Sequence, residues 1–468
     1  MMKGTTTTRR VAVLVATCSS FLTPFMGSAL NIALPSIGRE FAADAMLLGW
    51  ISTVYLLTSA MFLVPFGKLA DLRGRKRIFV WGLGVYAAGA LVSGLAPSAG
   101  ALVAARAVQG VGGAMIFGTG VALLTSVFPP QERGRVLGLN VAAVYVGLSV
   151  GPFLGGVCTQ QWGWRSIFYV NVPLAALVAA LAAWKLRGEW RATDGESFDW
   201  PGSILYGVGL VALIYGFSRL PSAFGAGLTL AGLLVLALFV FWEGRARTPL
   251  LELNLFRHNL AFTFSNLAAL VNYSATFAVG FLLSLYLQSV RGISPQQAGM
   301  ILLVQPVVQA LFSPLAGWAS DRVEPRIVAS VGMALTVIGL ALLYPLGPGT
   351  AVPYIVGVLA LLGFGFALFS SPNTNAVMSS VDRAHYGVAS ATLGTMRLTG
   401  QMLSMGIVML IFALFMGGMA ITPGTTARFL SSARAAFGVF VVLCTLGIFA
   451  SLARGDIRAR PAPAGHLR

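Results

Sequence analysis

Runs of roughly 20 apolar residues recur about fourteen times along this 468-residue chain, near 11–35, 47–66, 78–96, 99–125, 136–160, 165–186, 202–218, 225–242, 259–288, 297–318, 327–345, 352–378, 387–417 and 434–453. A helix rising about 1.5 Å per residue crosses ~30 Å of hydrocarbon in such a run, and its backbone satisfies its own hydrogen bonds there. Leu220-Pro221-Ser222 separates two full runs, which makes the count fourteen rather than twelve. Charged residues are only 10% of the chain, against about 25% in a soluble domain, too few to cover a core with polar surface. A soluble globule and a disordered chain are thereby excluded. The three cysteines, Cys18, Cys158 and Cys444, lie far apart in apolar runs, which excludes a disulfide scaffold. The expected class is an all-α integral membrane protein with fourteen transmembrane helices.

The net charge of +17 has to be read by position. Lys68, Arg73, Arg75, Lys76 and Arg77 share one connection, whereas the connections on the opposite side hold Arg39, Arg165, Arg219, Arg291, Arg428 and Arg434. The positive-inside bias therefore places both termini in the cytoplasm of a multi-pass cell (inner) membrane protein. Tails of 1–10 and 454–468 are expected, the first without a cleavage site. The excess charge then attracts anionic lipid at the cytoplasmic face and is not a nucleic-acid footprint.

The chain also repeats itself. Gly67-Lys68-Leu69-Ala70-Asp71-Leu72-Arg73 is echoed by Gly317-Trp318-Ala319-Ser320-Asp321-Arg322-Val323, and Gly110-Val111-Gly112-Gly113-Ala114 by Gly363-Phe364-Gly365-Phe366-Ala367. Such a repeat implies two similar six-helix bundles, over 11–190 and 251–453, about an axis along the membrane normal. The insert 191–250 holds the seventh and eighth helices, which have no partner in the repeat. A site near the midplane between rocking halves is the mechanism this symmetry favours.

Three motifs carry more specific information. The second connection, ending in Gly74-Arg75-Lys76-Arg77, combines glycines for a tight turn with Asp71, which can meet helix N-termini and arginines. Arg106-Ala107-Val108-Gln109-Gly110 lies within the fourth run. An arginine there costs roughly 2.5–3.5 kcal/mol on insertion scales and should face a polar interior. Gly138, Gly147, Gly151-Pro152 and Gly155-Gly156 run down the fifth, where small residues let helices approach and Pro152 permits a bend.

The first motif resembles the loop signature of the major facilitator superfamily, and the second its helix-4 signature. The third is similar to the helix-5 pattern of its exporters. Trp164 to Pro173, Asp199-Trp200-Pro201-Gly202, Pro249 to Leu253 and Leu287-Gln288 with Gly292 to Gly299 narrow the resemblance to the 14-helix drug:proton antiporters of the EmrB/QacA type. It spans about residues 11 to 450. It implies the major facilitator fold, two six-helix bundles plus two extra central helices. A gate would form from Asp71, Arg73, Gly74 and Arg77, with Asp321 and Arg322 in the second half, and Arg106 would serve coupling or substrate binding. A purely structural Arg106 bonded to backbone carbonyls is the alternative.

One departure matters. The family usually reads Asp-x-Thr-x-x-Asn-x-Ala-Leu-Pro in helix 1; here Asn31-Ile32-Ala33-Leu34-Pro35 is intact, but Met26 stands at the acidic position. Every acidic residue can be placed in a loop or at a helix end, and the charges deep in the bilayer are Arg106 and Arg397. Such a site should favour anionic, zwitterionic or neutral solutes over cations. Uncharged candidates in the spans are Asn31, Gln109, Tyr145, Asn272, Gln305, Gln309 and Asn373, each also a candidate for interhelical hydrogen bonding. No HExxH, G-x-S-x-G or Walker-type loop marks an enzyme, and no cofactor or metal is implied. The expectation is a monomeric secondary exporter of organic or amphipathic solutes, of multidrug-efflux type, driven by protons through alternating access. An uncoupled facilitator, or a dedicated exporter of an anionic, neutral or lipid-like metabolite, is the alternative.

Overall fold

The computed structural model describes residues 6–186, 188–190, 197–251, 253–382 and 386–455; the outer parts of both expected tails lie outside the described residues. Fourteen helices among them are long and apolar enough to cross a membrane. The first six are α1 (Thr6–Phe41), α2 (Ala45–Arg73), α3 (Arg75–Gly94), α4 (Ala99–Val127), α5 (Pro130–Trp162) and α6 (Ser166–Lys185). The inserted pair is α7 (Trp200–Arg219) and α8 (Ala223–Glu243). After the short α9 (Leu253–His258), the ninth span is built from α10 (Leu260–Thr276), α11 (Ala278–Leu285) and a π turn (Tyr286–Val290). The tenth joins α12 (Pro295–Leu302) to α13 (Val304–Arg322), and α14 (Pro325–Leu343), α15 (Val352–Ser379), α16 (Tyr386–Phe415) and α17 (Thr426–Ala453) complete the bundle.

The repeat read from the sequence is a repeat of packing. In the first bundle α1 packs on α5 and α6, α3 on α4 and α6, and α2 on α4. In the second, α10 packs on α16 and α17, α14 on α15 and α17, and α13 on α15. The echoed glycines occupy matching contacts. A Cβ on Gly110 would strike the Tyr55 carbonyl of α2, and one on Gly363 the Gln305 carbonyl of α13; Gly112 lies against Tyr86 of α3, and Gly365 against Gly332 of α14. Both sets bring helix backbones together where any side chain would hold them apart.

Four of the helix-5 glycines work the same way, whereas a Cβ on Gly138 would meet nothing within 4 Å. Cβ atoms on Gly147, Gly151 and Gly155 would meet Phe21, Phe25, Ser28 and Ala29, so they seat α5 on α1, whereas Gly156 meets Pro295 and Gln296 of the other half. Gly151→Val should wedge α1 off α5 and cost about 1–3 kcal/mol. The thermal unfolding midpoint of the purified protein measures this, and an unchanged midpoint would show that the helices do not pack through this stripe.

Several boundaries differ from the hydropathy reading. The last helix starts at Thr426 rather than 434, which puts Arg428 and Arg434 on its first turns, and the first helix begins at Thr6. Helices continue past the apolar stretch because their polar first turns remain hydrogen-bonded outside the hydrocarbon, which a hydropathy count does not register.

Candidate functional site

The two halves are knit together at the end of the bundle opposite the α2–α3 connection. Pro35 lies inside α1, and its missing N–H leaves the Asn31 carbonyl without its helical donor. Ser284 Oγ of α11 donates to that carbonyl at 2.5 Å, and Gln288 Nε2, in the π turn, donates to the Ile32 carbonyl at 2.9 Å. Beside them Gly299 of α12 lies against the Pro152 carbonyl of α5, and Thr53 of α2 donates to Met409 Sδ of α16 at 3.3 Å. The Asn31 side chain faces Gly280 loosely, at 3.9 Å from where a Cβ would stand. The Asn31–Pro35 motif thus contributes mainly backbone acceptors. Ser284→Ala removes the bond to Asn31 together with the one its Oγ accepts from Gln288 Nε2 at 3.1 Å; only the first joins the halves, and it is worth about 1 kcal/mol. It should shift the population open at this end by roughly fivefold, measurable as spin-label distances between α1 and α11; an unchanged distribution would deny the latch.

Deeper in, a polar cluster crosses between the halves. Tyr145 of α5 shares a 3.1 Å hydrogen bond with Ser370 of α15. One turn on, Thr374 Oγ1 donates to the Ser370 carbonyl at 2.8 Å and accepts from Arg397 Nη2 of α16 at 2.6 Å. The Arg397 guanidinium lies 5.7 Å from the centre of the Tyr273 ring of α10, and its Nε, although enclosed, has no partner. Tyr145, Tyr273, Thr374 and Arg397 are only half-buried. No carboxylate among the described residues bonds any member of this cluster.

Arg106 is in a different place. It is 1% exposed inside the first bundle, with Nη1 on Gln109 Oε1 at 2.5 Å, Nε on the Ile51 carbonyl at 3.5 Å and its guanidinium 4.3 Å from the Tyr55 ring centre. Gln109 is fully buried and its Nε2 has no partner. Met26 is likewise enclosed, at 1% exposure, and its sulfur accepts from Asn171 Nδ2 of α6 at 3.3 Å. The position of the usual acid therefore faces α6, away from the other half.

The remaining candidates divide by burial. Asn373 donates to the Ser265 carbonyl of α10 at 3.1 Å, an interhelical bond within one half. Asn272 and Gln309 are buried with unpartnered amide atoms, whereas Gln305 is half-buried one turn before Gln309 on α13. In the α2–α3 connection Asp71 pairs with Arg75 at 2.7 Å rather than with Arg73 or Arg77. Arg75 continues to the Ala122 carbonyl and Ser126 of α4 at 3.0 and 2.5 Å. Arg73 is exposed, and Arg77 stacks 5.1 Å from the Trp81 ring centre. Gly74 makes the turn at φ +117°, where a side chain would be strained and would strike Glu189. In the second half Asp321 accepts from Asn375 at 3.5 Å and Arg322 stacks on Trp318 at 3.7 Å. Each of these contacts stays within its own half.

Sequence reading had not singled out Tyr55, Tyr273, Ser284, Ser370 or Thr374, and held Asn171 only within the stretch Trp164 to Pro173. The polar run Ser370-Ser371-Pro372-Asn373-Thr374-Asn375 inside an apolar helix was the available signal for two of them.

The Major Facilitator Superfamily profile matches residues 16–242 and 265–466. Multidrug resistance protein Stp of Mycobacterium tuberculosis is 32% identical over 408 residues, covering 85% of this chain and 75% of its own. Cephamycin export protein CmcT of Amycolatopsis lactamdurans is 32% identical over 475 residues, 99% and 96% of the two chains. Riboflavin transporter RibZ of Clostridioides difficile is 28% identical over 389 residues, 82% and 84%. Among solved structures, a bacterial homologue of the lysosomal transporter Spinster, inward-facing and occupied, aligns with a TM-score of 0.72 at 17% identity, covering 98% of this chain and 100% of that one; this likeness concerns the fold. Fourteen spans, two bundles of matching packing and a profile covering most of the chain lead to one conclusion: the chain belongs to the major facilitator superfamily, beside its drug-efflux members, and is a multi-pass membrane transporter.

Proposed function

We propose that this protein exports organic, amphipathic small molecules across the cell (inner) membrane, with both termini cytoplasmic, by alternating access of its two bundles. The observation that carries the reading is the cluster Tyr145–Ser370–Thr374–Arg397, which joins the halves at depth and offers a guanidinium with a free donor. The closed end opposite the termini and the separate Asp71–Arg75 and Asp321–Asn375 contacts support a cytoplasm-facing arrangement. The names of Stp and CmcT support efflux. A cation on the path with no carboxylate beside it favours anionic, zwitterionic or neutral solutes, since a cationic one would meet like charge in low dielectric. The proton gradient is the proposed drive, with the proton carried on the solute or through Asp71 as it changes partners. One observation favours the second reading, an uncoupled facilitator or dedicated metabolite exporter: Met26 replaces the usual acid and is closed off against Asn171.

Proteoliposomes with an imposed pH gradient and an internal pH dye test this. Anionic and neutral amphiphiles should move saturably at least tenfold faster than dicationic ones, with matching proton flux. Preferential movement of the dications would overturn the charge reading, and solute movement without proton flux would establish the second one.

A further inference from the structure

The inserted helices end in a feature that transport between the bundles does not explain. Asp199 precedes α7 and Glu243 closes α8, and both are buried, at 7% and 3% exposure. Asp199 Oδ1 caps α7 by accepting from the Gly202 N–H at 3.0 Å, and Trp242 Nε1 donates to both its oxygens at 3.1 and 3.2 Å. Glu243 Oε2 accepts from the Leu251 N–H at 2.9 Å, while its Oε1 is enclosed without a donor. That orphan oxygen is aimed at Asp199: a Cβ on Gly202 would come within 2.6 Å of both Asp199 Oδ2 and Glu243 Oε1. Among the described residues, the titratable and charged groups of the surrounding elements are Tyr206 on α7, Lys68 on α2, Arg245 and Arg247 beyond α8, and Arg257 and His258 on α9. Arg245 stacks on Phe241 at 3.6 Å, Arg247, Arg257 and His258 are exposed, and neither carboxyl accepts a hydrogen bond from any of the six.

Two ionised carboxylates cannot share so small a buried volume without a cation, whereas one proton between them satisfies every atom. The donors already present assign it. Asp199 receives three N–H contacts and is the natural anion; Glu243 Oε1 receives none and carries the hydrogen, donating to Asp199 Oδ2. We propose that Asp199 and Glu243 form a proton-binding site that holds one proton and thereby clamps α7 to α8. The clamp acts on the helix that touches both bundles, since Gly207 of α7 packs on Met61 of α2 and Ile214 and Phe217 lie against Gly406 of α16. Releasing the proton sets two anions against each other beneath the first turn of α7 and loosens the brace.

The sign of the effect is fixed by linkage. The folded protein binds one proton more than the unfolded chain across the neutral range, so its stability falls as pH rises and the shared proton leaves. Unfolding midpoints of the purified full-length protein, followed from mildly acid to mildly alkaline pH, should fall in the wild type. They should stay level in Glu243→Gln, whose amide keeps a donor on Asp199 at every pH. Equal slopes in the two proteins would overturn the proposal. Infrared difference spectra between the two pH limits give a second reading that does not depend on that variant. The wild type should lose a protonated-carboxyl C=O band on alkalinisation, and Asp199→Asn, whose N–H replaces the shared proton, should lack it from the start. No such band in the wild type, or the same band in Asp199→Asn, would also overturn the site.

Discussion

Arg397→Ala should raise the KM for an anionic amphiphile by about tenfold to a hundredfold, the equivalent of the 1.5–3 kcal/mol that a hydrogen bond to a charged group is worth. The maximal rate should change far less. The reasoning is positional. Arg397 is half-buried between the bundles, spends Nη2 on Thr374, and keeps an enclosed Nε free beside the Tyr273 ring. A solute anion would complete that donor set in both ground and transition states, and such uniform binding appears in KM. Arg397→Lys keeps the charge but loses the planar fork, so it should fall between the two. Because the side chain is not a core packer, the alanine variant should unfold within a few degrees of the wild type. Proteoliposome uptake over a concentration series is the measurement. An unchanged KM for every anion tried would remove Arg397 from the solute site.

Legibility in the sequence divides along physical lines. The fourteen spans are composition, legible in any stretch of about 20 residues, and the repeat is legible as matched residues, Gly67 to Arg73 against Gly317 to Val323. What hydropathy does not carry is the rotation of each helix about its axis, and that decides the site. Met26 and Asn31 are five residues apart on α1, yet one faces Asn171 in its own bundle and the other lies at the opposite bundle. Asn31 drew attention for its amide, whereas the structure uses its carbonyl, freed by Pro35. Asp71 had three nearby arginines to choose from, and the turn at Gly74 delivered Arg75. Asp199 and Glu243 were each placed correctly at helix ends. Their meeting is a tertiary fact: antiparallel pairing of α7 and α8 folds 44 residues of chain back on itself.

Arg106→Met should show the opposite kinetic signature: a maximal rate at least tenfold lower, with KM little changed. Arg106 touches no surface between the bundles, so it is not placed to bind solute. What it holds is α2. Its Nε meets the Ile51 carbonyl and its guanidinium covers Tyr55, while two residues either side of Ile51, about half a turn away, Gly49 and Thr53 pack on Met409 of the other bundle. The expected role of Arg106 is accordingly to position α2, and with it the surface that packs on α16. Methionine is the informative replacement because it fills similar volume without a charge. Burying a cation with no carboxylate partner costs several kcal/mol, and replacing it with a packed apolar group is often neutral or stabilising. The unfolding midpoint should accordingly hold or rise while transport falls. A cation kept at that cost, dispensable for folding yet required for movement, would be one retained for the conformational cycle. Both variants leave Gln109 Oε1 without its donor, but alanine also leaves a cavity, with stability lost by about 2–5 kcal/mol. Full transport in a stable Arg106→Met protein would reduce the residue to a structural support bonded to backbone carbonyls.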